Sequence, residues 1–293
     1  MEKSFFNPAE ITEAFVEAGC KKASLPSVRL FLLGILAGAY IAFAAEGSNM
    51  AIHTIASVGV AKALAGALFA TGLMLVVVAG GELFTGNTLM VIACSEGKSR
   101  WRGLLRNWFF VYTGNFAGSL IIVMLILFSG QFDFSKGMLG GFTIKTAVYK
   151  TDLTFLKALS MGILCNWLVC LAVWMSFAAK DIVGKLLAIF FPIWLFITSG
   201  FEHSIANMFY IPAGILAKGN PVWAKAAISL GVAPEKLAGL GWGKFLIGNL
   251  LPVTLGNIIG GGFFVGIMYW TVYLYKPGVK REDISSGCKG KCI

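Results

Sequence analysis

Six charge-free apolar runs decide what this chain can fold into. They cover 30–45, 63–81, 107–132, 158–179, 186–201 continued by 204–217, and 245–275. A helix needs about 20 apolar residues to cross a bilayer. The runs therefore predict six transmembrane helices, with the second and fifth broken. Charged residues make up 13% of the chain and mean hydropathy is +0.80, whereas a soluble domain carries about 25% charged residues. The expected fold class is an all-α membrane protein. One membrane domain spans 26–276, an N-terminal segment covers 1–25, and a basic tail covers 277–293.

The first 25 residues carry Glu2, Glu10, Glu13 and Glu17, which argues against a cleavable signal sequence. They predict an amphipathic helix instead. Asn7 caps it, Pro8 suits its first turn, and Glu10 completes a capping box. Ile11, Ala14, Phe15 and Ala18 then share one face. The expectation is a cytoplasmic helix lying at the membrane interface, with gating as the lesser reading.

A net charge of +10 raises the question of a nucleic-acid partner, but the cations sit in loops between spans. With the N-terminus inside, the inner loops and termini hold five arginines and ten lysines, and the outer loops hold nine lysines. Fifteen against nine predicts both termini in the cytoplasm of an inner-membrane, multi-pass protein. Lys136, Lys145, Lys150, Lys157, Lys218, Lys225, Lys236 and Lys244 on the outer side would attract anions. Cys288 and Cys292 bracket a basic "CKGKC" with no zinc spacing, and no phosphate-cradling or dinucleotide loop occurs. No metal, cofactor or nucleic acid is expected.

The two broken runs share a pattern. "GGELFTGN" (80–87) and "GFEHSIAN" (200–207) are both G-x-E-x-x-x-x-N. "GIL" precedes each, at 34–36 and 162–164, and "GNFAG" (114–118) and "GNIIG" (256–260) follow. Two copies of a three-span unit must enter the membrane from opposite sides, which makes a three-plus-three inverted repeat. Such a fold keeps its polar site near the midplane, where broken helices meet. Gly81 and Gly86 are expected to let the chain leave the helix at the first break. Glu82 and Glu202 occupy equivalent positions and are expected to accept orphan amides of the breaks. His203 has no such counterpart, because Leu83 stands at the equivalent place. An ionisable group inside a membrane that symmetry does not require is a functional candidate.

"GGELFTG" (80–86), "GILCNWLVCLAVW" (162–174), "SGFEHSIANM" (199–208) and "LPVTLGNIIGGG" (251–262) resemble the formate–nitrite transporter family over essentially the whole chain. The resemblance implies a six-helix, aquaporin-like protomer in a homopentamer, each protomer with its own pore. It implies Thr85 facing a central His203. It implies a cytoplasmic constriction from Leu73 and Phe196, and a periplasmic one from Phe69, Phe84 and Val169. It also implies a vestibule lysine at Lys150 and paired pore asparagines at Asn166 and Asn257. "ELFTG" and "CNWLVCLA" are closer to nitrite-type members, and "NLLPVTLGNIIGGG" to formate-type members. That mixture makes hydrosulfide the first expected substrate, followed by formate and nitrite.

Small monovalent anions of weak acids suit such a site, since the neutral acid crosses an apolar ring more cheaply than its anion. Histidine changes charge near neutral pH. A membrane enzyme built on Glu202 and His203 is the weaker reading, because adjacent helical residues point about 100° apart. A neutral-solute pore of the aquaporin type is the other alternative. The single "NPA" at 7–9 lies before the first span and reads as a helix start.

Overall fold

The structure, a computed structural model, describes residues 5–277. Beyond Pro277 the predicted basic tail, with Cys288 and Cys292, lies outside the described residues. The chain forms α1 (Pro8–Ser24), α2 (Ser27–Ile52), α3 (Val58–Gly80), α4 (Phe84–Ser95) and α5 (Trp101–Phe128). It continues through α6 (Phe134–Thr151), α7 (Phe155–Ala178), α8 (Ile182–Thr198) and α9 (Ser204–Ala217). It ends with α10 (Pro221–Ser229), α11 (Pro234–Gly239) and α12 (Lys244–Tyr273). Among the described residues no strand forms, and Phe5–Ala179 is an isolated extended contact.

Five helices, α2, α3, α5, α7 and α12, are long and apolar enough to cross a membrane. The fifth predicted run is instead two shorter apolar helices, α8 and α9, separated by residues 199–203. The second run is likewise followed by a short helix, α4, after the gap at 81–83. The first predicted run stops before Glu46 because a carboxylate ends the apolar stretch. The helix nevertheless continues to Ile52, and Glu46 is buried within it. Helical hydrogen bonds outweigh one polar side chain when the alternative is bare backbone in hydrocarbon.

Glycine sets the spacing of the helix pairs. α2 crosses α5 where Gly34 meets Gly114, and a Cβ on Gly34 would lie 2.9 Å from the Val111 carbonyl. α7 crosses α12 in the same way. There a Cβ on Gly162 would lie 2.8 Å from the Val253 carbonyl. Small residues let membrane helices approach until their backbones touch.

The capping box of α1 is present. Asn7 accepts from the Glu10 amide at 3.0 Å and Glu10 from the Asn7 amide at 2.8 Å. However, α1 packs into the helical body rather than merely lying along an interface. Ile11 and Phe15 are buried, and Phe15 stacks on Trp174 and Phe177 with ring centroids 5.0 and 4.3 Å away.

Candidate functional site

The two breaks are built alike. α3 ends at Gly80, with φ of +93°, and the residue before the second break is Gly200, with φ of +76°. This left-handed conformation is open to glycine at little cost, and it turns the chain out of the helix. The expectation for Gly81 and Gly86 is corrected here. Gly81 is extended, at φ −172°, and Gly86 lies inside α4.

Each break is then held by one asparagine. Asn115 Oδ1 accepts from the Phe84 amide at 3.0 Å, and its Nδ2 donates to the Gly34 and Glu82 carbonyls at 2.8 and 2.9 Å. Asn257 accepts from the Ser204 amide at 2.9 Å and donates to the Gly162 and Glu202 carbonyls at 2.8 and 3.1 Å. Thus the three repeated sequence landmarks meet in one cluster per repeat. The orphan amides of the breaks go to these asparagines. The two glutamate side chains, expected to accept them, do something else.

Glu82 accepts from Lys22 Nζ and Asn87 Nδ2, each at 2.6 Å, and Asn87 Nδ2 also donates to Asn107 at 2.9 Å. Glu202 accepts from Lys150 Nζ at 2.8 Å and Asn207 Nδ2 at 2.6 Å, and Asn207 Nδ2 donates to Asn249 at 2.7 Å. Each buried carboxylate therefore has a cation and a chain of amides. Lys22 on α1 and Lys150 on α6 play matching parts, which makes α1 and α6 equivalent members of the two repeats. Lys150, expected at a vestibule, has a side chain only 12% exposed and is committed to Glu202. Its ammonium also lies 5.2 Å from the Tyr210 ring centroid.

His203 breaks the symmetry. Its Nδ1 accepts from the Ala206 amide at 3.0 Å, so the side chain caps α9. Its Nε2 lies 3.1 Å from Thr85 Oγ1, at the other break. An amide N–H can only donate, so Nδ1 is unprotonated and the ring hydrogen resides on Nε2. The imidazole is then neutral and points a donor toward Thr85. Protonating Nδ1 would cost the cap of α9. Leu83, at the equivalent place, makes no side-chain cap.

Apolar rings adjoin this pair. Phe69 and Phe196 meet edge to face with centroids 5.8 Å apart, and they lie 6.5 and 6.0 Å from the His203 ring. The two phenylalanines expected in opposite constrictions are thus direct neighbours. Phe84 packs on Trp108 and Tyr112, at 5.7 and 4.8 Å. Val169 is buried on α7. Leu73 lines a cavity of about 470 Å³ that also borders Lys22, Glu82 and α1. Asn166 Nδ2 reaches the Asn257 carbonyl at 2.6 Å and the Thr85 carbonyl at 3.1 Å, tying the first turn of α4 to α12.

Sequence reasoning missed Asn115, Asn107, Asn249 and Lys22. The repeat offered a signal for the first. Asn115 and Asn257 stand in the matching "GNFAG" and "GNIIG", but only Asn257 was singled out.

The sequence profile of formate/nitrite transporters matches residues 9–271. The chain is 41% identical to formate channel FocA of Escherichia coli K12 over 271 residues, 91% of this chain and 94% of that protein. A solved structure titled "Pentameric formate channel with formate bound" superposes with a TM-score of 0.76 at 42% identity, covering 85% of this chain and 98% of the other. An "FNT family ion channel" superposes with a TM-score of 0.74 at 27% identity, covering 90% and 98%. Two matched helix breaks, a histidine shared between them and these likenesses agree: the chain belongs to the formate/nitrite transporter family.

Proposed function

We propose that this protein is an inner-membrane channel for small monovalent anions of weak acids, formate first, working as a homopentamer with a pore in each protomer. Hydrosulfide, the first substrate expected from the sequence, gains no support from the relatives, of which FocA and the pentameric channel are named for formate. In this reading both termini face the cytoplasm, α4 completes the second span, α8 with α9 forms the broken fifth, and α12 is the sixth.

The observation that carries the reading is the 3.1 Å contact between His203 Nε2 and Thr85 Oγ1, joining the two breaks beside Phe69 and Phe196. A bare anion at the bilayer centre costs at least about 3 kcal/mol. Hydrogen-bond donors fixed in place lower that cost without reorganisation. The anion displaces Thr85 from Nε2 and accepts from both groups. His203 acts as a hydrogen-bond donor and not as a resident acid, because giving up the Nε2 proton would leave an imidazolate. Phe69 and Phe196 form one apolar constriction beside this point, with Leu73 one turn further along α3, favouring dehydrated or neutral species. Glu82, Glu202, Asn166 and Asn257 hold the breaks open.

Formate flux into liposomes tests the reading. Wild type should carry formate, with His203→Asn and Thr85→Val both slower while remaining assembled on gel filtration. Wild-type flux in both variants would remove the central pair from the mechanism.

A further inference from the structure

Lys62 belongs to a stripe that the central site leaves unexplained. On α3, Lys62, Gly66, Phe69 and Leu73 follow each other at helical spacing of four, three and four residues, so they share one face. Leu73 ends this stripe at the cavity beside α1. Phe69 lies next to Phe196 and His203. Gly66 fits against Trp194, and any Cβ there would strike it. Lys62 stands two turns beyond Phe69, about 10 Å along the axis, at the end remote from α1.

Lys62 also lies against the second break. A Cβ on Gly200 would stand 3.6 Å from its Nζ, so the ammonium sits at the turn that leads into Glu202. The nearby acid is already engaged. Glu202 accepts from Lys150 at 2.8 Å and from Asn207 at 2.6 Å. No acidic side chain lies within ion-pair distance of Lys62 among the described residues. The Lys150–Glu202 pair is neutral as a whole, so Lys62 supplies an uncompensated positive charge at this mouth.

We propose that Lys62 is the outer docking point for the permeating anion, a small carboxylate or other monovalent anion that it hands down the stripe to Phe69 and His203. This inference rests on the channel reading above. A single exposed ammonium beside a backbone turn binds an anion weakly, which suits capture followed by release.

The test measures initial uptake by reconstituted protein for a panel of formate, nitrite and hydrosulfide. It uses ionic strengths of about 0.01 M and about 1 M, where the screening length is about 30 Å and about 3 Å. Lys62→Gln should slow uptake at low salt by about three- to tenfold, the scale expected of electrostatic steering by one charge. The loss should appear as a higher half-saturating concentration with the maximal rate kept. It should shrink at high salt, and Lys62→Arg should restore wild-type behaviour. Equal uptake by Lys62→Gln and wild type at low salt, or a loss that high salt leaves unchanged, would overturn the proposal while the channel reading stands. If wild type carries none of the three anions, both readings fall.

Discussion

Asn115 and Asn257 make the same three hydrogen bonds at opposite breaks, each taking one amide and giving to two carbonyls. Neither side chain has capacity left over for a substrate except a second lone pair on its oxygen. Their role is to make non-helical backbone tolerable inside hydrocarbon. Freedom at the breaks is thereby removed before any anion arrives, and His203 and Thr85 meet because the starts of α9 and α4 are fixed.

Asn115→Leu keeps much of the shape and strands the Phe84 amide and the Glu82 carbonyl at the break. Each stranded group costs about 1–3 kcal/mol. The variant should lose assembled protein on gel filtration or melt well below wild type. Asn257→Leu should do the same at its own break. A tolerated Asn115→Leu would mean the first break is held by something else.

Lys150 and Glu202 should behave as a unit. Breaking a buried pair costs about 3–5 kcal/mol because it leaves one charge uncompensated. Lys150→Met and Glu202→Gln should each lower thermal stability, and the double variant should recover part of the loss. The loss of flux in Lys150→Met should not depend on salt, in contrast to Lys62→Gln. Additive losses in the double variant would argue against the pair.

Much of this architecture was legible in the sequence because a bilayer imposes simple rules. Runs without charge marked the spans, and the shared G-x-E-x-x-x-x-N marked both breaks and their symmetry. What stayed hidden was partnership. Lys22 and Lys150 lie in different kinds of segment, a cytoplasmic-looking amphipathic helix and an outer loop, so nothing local pairs them. Their equivalence appears only when both are seen on a glutamate at a break. Phe69 and Phe196 were assigned to opposite rings because offsets along the chain carry no distance across it. α6 was missed since its apolar face is built of small residues such as Gly140 and Gly141 packed on Trp223 and Ala226.

The glycine crossings make a sharper stability test than the core aromatics. A methyl on Gly34 would sit 2.9 Å from the Val111 carbonyl and 3.1 Å from Gly114 Cα. Backbone cannot yield as a side chain does, so Gly34→Ala should push α2 from α5. Overpacking of this kind costs about 1–3 kcal/mol. Gly59, whose Cβ would meet nothing within 4 Å, is the control. Gly59→Ala should melt like wild type and Gly34→Ala below it. Equal melting would place the α2–α5 spacing elsewhere.

The tautomer of His203 gives the most direct check on the mechanism. The Ala206 amide holds Nδ1 as an acceptor at 3.0 Å, which requires the hydrogen on Nε2. Nitrogen NMR of selectively labelled protein should therefore report a neutral ring, unprotonated at Nδ1, between about pH 5 and 8, where an unrestrained histidine changes charge. Ala206→Pro removes the amide hydrogen in the first turn of α9, where proline is compatible with a helix. Nδ1 is then free to accept a proton, and the imidazolium should become visible within the same pH window. Flux of the variant should acquire a pH dependence that wild type lacks after correction for the fraction of protonated substrate. A wild-type ring that is protonated on Nδ1, or a variant with an unchanged spectrum, would show that the cap does not set the state of His203. In the first case the histidine would be free to act as an acid rather than as the fixed donor proposed here.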